Sequence, residues 1–158
     1  MQNRGKQFEQ VIKDAFLKIP DVSIDRLYDP MAGYAGVKNI CDFIVYKEPF
    51  EYYIECKTVH GNTLPFSNIT DNQWNGLLEK SRIQGVFAGI ICWWIDKDRT
   101  AFIPIQTLQY MKENNAKSFP CSLLDTRITD WEGVKEIKGK KKRIFWEYDM
   151  EEFFNDVR

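Results

Sequence analysis

The sequence predicts an α/β fold, a small mixed β-sheet flanked by helices, in a single domain. Three observations predict it. Apolar residues at helical spacing open the chain: Phe8, Val11, Ile12, Ala15, Phe16 and Ile19 recur every three to four residues before Pro20 ends the pattern. Several short apolar segments of strand length then follow, set off by turn residues, with further helical periods between them. Finally, 158 residues with 44% hydrophobic content suffice for one core without staples, and the sequence shows no repeat or low-complexity linker that would divide it.

Taken in order, positions 5–19 form the first helix and 22–28 a weakly alternating first strand. The Gly- and Pro-punctuated "DPMAGYAGVKN" reads as loop. Positions 42–46 and 52–58 make an antiparallel hairpin around a turn at 47–50. "HGNTLPFSN" reads as loop, after which Thr70 or Asp71 caps a helix to about 83, with Trp74, Leu77 and Leu78 on its apolar side. Positions 85–95 form a buried strand, 100–105 another, and 106–114 a short helix. Beyond them the pattern weakens, with one strand at 143–148 and a terminal helix from 150. The domain spans 1–158, its core about 4–115 and a C-terminal extension about 116–158.

Composition removes several function classes. Cys41, Cys56, Cys92 and Cys121 are scattered without CxxC pairing, and three lie in apolar strand segments, as reduced core thiols do. A thiolate zinc site is therefore not expected, and a reducing cytoplasm is. The one histidine, His60, has no nucleophile motif beside it. The longest apolar run, 85–95, is about half of a membrane span, and the first residues lack the apolar core of a secretory signal. Net charge is −1, yet Lys135, Lys138, Lys140, Lys141, Lys142 and Arg143 form a basic run, with Arg4 and Lys6 at the other end. Such a run reads either as solvated surface or as a DNA contact.

The hairpin carries acids where burial is expected. Side chains alternate along a strand, so Tyr53, Glu55 and Lys57 share one face and Tyr52, Ile54 and Cys56 the other. A turn near Glu48 or Pro49 sets Asp42 roughly opposite Glu55. Two carboxylates meeting there repel and lose solvation unless a cation offsets both effects. Mg²⁺ suits such a pair, since it takes oxygen ligands from one or two carboxylates and leaves room for water and phosphate. A lysine beside them can orient the attacking water and offset phosphate charge. Alone, a Glu-x-Lys is more often only a surface ion pair, worth at most about 1 kcal/mol, and it is the partnered Asp42 that favours a functional site. Glu9 sits at the edge of the first helix's buried stripe, where a plain surface acid is the other reading.

"RGKQFEQVI", "CDFIVY", "YYIECKT" and "LPFSNITDNQ", in that order, resemble the PD-(D/E)XK nuclease superfamily. Within it the chain is most similar to Holliday junction resolvases of the RecU type and their phage-encoded relatives, over roughly residues 4–105. The resemblance implies a restriction-endonuclease-like fold and Mg²⁺- or Mn²⁺-dependent phosphodiester hydrolysis leaving 5′-phosphate and 3′-hydroxyl ends. It makes Asp42 and Glu55 metal ligands, with the backbone carbonyl of Cys56 as a third and Glu9 reaching the metal through a bound water. Lys57 becomes the lysine that positions water, and Gln73 the glutamine opening the following helix. Arg4, Lys6, Lys140, Lys141 and Lys142 are the DNA-contact candidates. Further implications are four-way junctions as substrate, a homodimer matching their symmetry, no membrane association, and action in the cytoplasm of a bacterial or phage-infected cell. Cys41 stands where the signature has proline. "YDPMAGYAGVKNI" stands where RecU-type enzymes carry a long stalk, which leaves two other readings open: a restriction-like or repair nuclease, and a non-catalytic DNA-binding module. Exposed members of the set Tyr28, Tyr34, Trp93, Trp94 and Trp131 are candidates for an interface.

Overall fold

The computed structural model describes residues 3–28, 38–126 and 133–155. Helix α1 (Arg4–Leu17) starts at Asn3, whose side-chain oxygen accepts hydrogen bonds from the Gly5 and Lys6 N–H groups at 3.0 and 3.3 Å. Then follow β1 (Ser23–Arg26), β2 (Phe43–Lys47), β3 (Phe50–Val59), β4 (Thr63–Pro65), α2 (Asp71–Ser81), β5 (Val86–Trp94), β6 (Arg99–Pro104), α3 (Ile105–Glu113) and β7 (Ser118–Pro120). Three short strands close the sequence, β8 (Lys135–Ile137), β9 (Gly139–Lys141) and β10 (Trp146–Tyr148).

A six-stranded mixed sheet runs β1-β2-β3-β5-β6-β8. Strands β3 and β5 are parallel, with α2 in the crossover between them, and the other pairs are antiparallel. Lying centrally, β5 reads "VFAGIICWW" and is apolar on both sides, because helices cover both faces. Beneath α1, Phe8, Ile12 and Phe16 pack on Phe43, Tyr52, Ile54, Ile91 and Trp93. Beneath α2 and α3, Trp74, Leu77 and Leu108 pack on Ile90, Cys92, Trp94 and Ile103. All four cysteines are free and buried. Among the described residues no helix is long and apolar enough to cross a membrane.

The mixed α/β architecture matches the reading from sequence, and three local expectations are corrected. "HGNTLPFSN" is not all loop: β4 pairs with β7, more than fifty residues away, and a 3-10 turn follows at Phe66–Asn68. Three residues ended by a proline carry too little local pattern to reveal a strand. The terminal helix from 150 is a single 3-10 turn, Glu151–Phe154. Phe153 stacks edge-on against Phe16 and Phe102, and that tertiary contact rather than helical spacing places it. The strand expected over 143–148 shortens to β10, paired with β9, while β8 joins the main sheet unannounced by its sequence. Of the interface aromatics, Trp93 and Trp94 are core residues and Tyr28 is exposed. Tyr34 and Trp131 lie outside the described residues.

Candidate active site

Register places the acids. Phe43 faces Ile54 across the β2–β3 ladder, and one step back the Asp42 N–H donates to the Ile54 carbonyl at 3.0 Å. Asp42 therefore stands opposite Glu55, as the two-residue turn requires. Its carboxylate Oδ2 accepts the Cys56 N–H at 2.9 Å, which locks the side chain across the pair. Alternation along β3 holds as well: Tyr53 lies on the α2 side, while Tyr52, Ile54 and Cys56 enter the core under α1.

On the α2 side, Glu55 is only 5% exposed. Lys57 Nζ lies 3.1 Å from Glu55 Oε2. Gln73 Nε2 donates to the same oxygen at 3.1 Å. The orientation of that amide is fixed, because its Oε1 accepts the Thr70 N–H while Thr70 Oγ1 accepts the Gln73 N–H. This is the capping box of α2. The box thus has a second use, aiming an N–H donor at the buried carboxylate.

On the α1 side, Glu9 forms an ion pair with Arg26 at 2.5 Å. Arg26 also lies over the rings of Tyr28 and Phe43. Asp42 lies between the two sides, within interacting range of both Glu9 and Glu55. Sequence reasoning missed Arg26. It sits in a weakly alternating edge strand, and nothing in its spacing ties it to Glu9 or Asp42.

Electrostatics follow from this crowding. Burial, then repulsion from Asp42, raises the Glu55 carboxyl to about 8, against the opposing pull of Lys57. Glu9 is raised in the same way, first by burial and then by Asp42, with Arg26 pulling it back. Burial, followed by Glu55 and Asp42, pushes the Cys41 thiol up to about 12, so it stays protonated and is no nucleophile.

Arg4 and Lys6 are exposed on the first turn of α1. Lys140 and Lys141 lie on β9, and Lys142 follows at the ribbon's tip. Lys141 Nζ is 2.7 Å from Asp98 and Lys142 Nζ 3.5 Å from Glu147, whereas Lys140 has no ion pair among the described residues. The basic run is thus partly neutralised within the chain.

The residues fit a small divalent cation. Asp42 and the buried Glu55, whose carboxyl is raised by burial and by the charge of Asp42, together form a hard-oxygen donor set. Among the described residues no group of three or more His, Cys, Asp or Glu side chains converges closely enough to hold a metal.

No family model matches the chain, and no curated protein matches it in sequence. Among solved structures it is similar to Hjc, a Holliday junction resolvase from the archaeal hyperthermophile Archaeoglobus fulgidus. The TM-score is 0.54 at 19% identity, over 84% of this chain and 95% of the resolvase. At that identity the likeness establishes the fold. The chain has a restriction-endonuclease-like fold.

Proposed function

We propose that this protein is a divalent-metal-dependent DNA endonuclease of the PD-(D/E)XK type that acts on branched DNA, four-way junctions above all. The observation that carries this reading is the meeting of Asp42, Glu55, Lys57 and Gln73 at the open end of one hairpin, with Gln73 and Lys57 both bound to Glu55 Oε2. The resolvase similarity of the fold supports the substrate class.

Asp42 and Glu55, with the Cys56 carbonyl, are the residues that would hold Mg²⁺ or Mn²⁺, and Glu9 would act on the same ion through a bound water. When bound, such an ion stabilises negative charge on the attacking water and on the phosphate. Gln73 keeps Glu55 in one rotamer. Lys57 presents a fixed ammonium beside the scissile phosphate, where it orients water and offsets charge that develops in the transition state. Arg4, Lys6 and the β9–β10 ribbon contact DNA backbone. A second copy of the chain is the natural partner, because paired cuts in a two-fold junction call for two sites related by two-fold symmetry.

The deciding experiment compares cleavage of a labelled four-way junction, linear duplex and single strand, in Mg²⁺ and in EDTA. Paired symmetric nicks confined to the junction, abolished by EDTA, are the expected result. Equal cutting of all three substrates retains the nuclease and discards the junction. No cutting with any divalent metal discards the enzyme and leaves a DNA-binding module.

A further inference from the structure

Helix α2 does more than deliver Gln73. Asn72, one residue earlier, directs its Nδ2 at the carbonyls of Lys38 and Asn39, at 3.4 and 3.3 Å. Asn39 in turn donates to the Tyr28 carbonyl at 2.7 Å, and the Leu27 N–H donates to the Asp42 carbonyl at 2.7 Å. One turn along the helix, Gly76 meets Ile40 so closely that a Cβ at position 76 would lie 2.2 Å from Ile40 Cγ2 and 2.7 Å from Ile40 Cβ. The second atom is fixed to the backbone, so no rotamer change relieves both contacts, and the segment leading into Asp42 would have to move.

Gly76 lies four residues after Asn72 and three after Gln73, so on the surface of α2 it neighbours both. One short stretch of helix therefore grips both strands of the hairpin. Asn72 and Gly76 hold the lead-in to Asp42, and Gln73 holds Glu55. We infer that α2 is the spacer that sets the gap between the two carboxylates, and that Gly76 and Asn72 are positioning residues for the divalent cation. The absence of a side chain at Gly76 is what lets the helix approach the Asp42 segment, and the Asn72 amide ties the two together. The inference rests on the metal-site reading above and adds residues that touch neither metal nor DNA.

The test measures Mn²⁺ binding to the metal-free protein by calorimetry, together with the electron paramagnetic resonance spectrum of the bound ion and the unfolding temperature without metal. Gly76→Ala and Asn72→Ala are compared with the parent and with Asn75→Ala, an exposed neighbour on the same helix. Supporting side chains of this kind typically change metal affinity by about 10- to 100-fold when lost. We expect a loss in that range for Gly76→Ala, a smaller one for Asn72→Ala, altered spectra in both, and no change in Asn75→Ala. Asn72 is exposed, so its variant keeps the parent's metal-free unfolding temperature. A merely structural role would lower that temperature and leave the affinity of the folded protein untouched. Parental Mn²⁺ affinity and spectrum in Asn72→Ala and in folded Gly76→Ala would overturn the inference while leaving the metal site standing. If Gly76→Ala fails to fold, Asn72→Ala decides alone. A parent chain whose Mn²⁺ uptake does not depend on Asp42 overturns the proposed function, and the spacer with it.

Discussion

Asp42 has a differently built acid on each side. Toward α2, Glu55 is nearly sealed from solvent, and its two donors, Lys57 and Gln73, both reach a single oxygen. Toward α1, Glu9 is matched one-to-one by Arg26, a full cation that is itself only partly buried. Both acids are raised by burial and by Asp42; Glu55 rises to about 8 despite Lys57, and Glu9 is raised while Arg26 pulls it back. On the proposed reading, a divalent ion would gain more from the Glu55–Asp42 pair than from Glu9, which is why the first two acids are proposed as direct ligands and Glu9 as a water-bridged one.

The largest expected effect tests the α2 side. Asp42→Asn and Glu55→Gln should each reduce cleavage by about 10³-fold or more while junction binding survives, since each removes a ligand charge and adds no bulk. Retained cleavage in either variant would end the comparison, because the two sides would then be equally dispensable. Lys57→Ala should slow the single-turnover rate by about 10²-fold and leave Mn²⁺ affinity within a fewfold of the parent. A lost Mn²⁺ site in this variant would make Lys57 a structural partner of Glu55.

The α1 side should respond less and in a different quantity. Glu9→Gln should reduce cleavage by about tenfold. Arg26→Ala should instead lower stability, by about 1–3 kcal/mol in thermal unfolding, because it strands Glu9 without its cation. Equal losses of cleavage in Glu9→Gln and Glu55→Gln would show that both acids ligate directly.

A pH titration sharpens the same contrast. In the metal-free protein Glu55 holds its proton up to about 8, whereas in the unfolded chain it releases it near 4.5. Between those values the folded state binds more protons, so stability falls as pH rises through that window and the slope fades above it. The raised Glu9 carboxyl adds a contribution of the same sign. Unfolding in EDTA from pH 5 to 9 should show a loss on the order of 3 kcal/mol. Glu55→Gln should remove most of that slope, and Mn²⁺ should flatten it in the parent. A flat metal-free profile would mean that Glu55 is not strained by its surroundings. The smallest effect belongs to the ribbon: Lys140→Gln should lower the salt dependence of junction binding by about one unit, and Lys142→Gln by less, since Lys142 has Glu147 beside it.

Much of this site was legible because strands have a period of two. Once 42–46 and 52–58 read as a hairpin with a tight turn, the shared face of Glu55 and Lys57 and the position of Asp42 opposite Glu55 followed from backbone geometry. The helical period likewise fixed α1 and α2, and Thr70 marked the start of α2 through its cap. Such features depend on neighbours a few residues apart. Arg26 against Glu9, Asn72 on the carbonyls of Lys38 and Asn39, and Gly76 beneath Ile40 join residues 17, more than 30 and 36 positions apart. The pairing of β4 with β7 and the docking of β8 onto β6 span comparable distances. The sequence by itself determined which acids line the hairpin. The tertiary structure alone decided how far apart they are held and which cation faces each, because those quantities depend on packing between elements whose local patterns carry no record of one another.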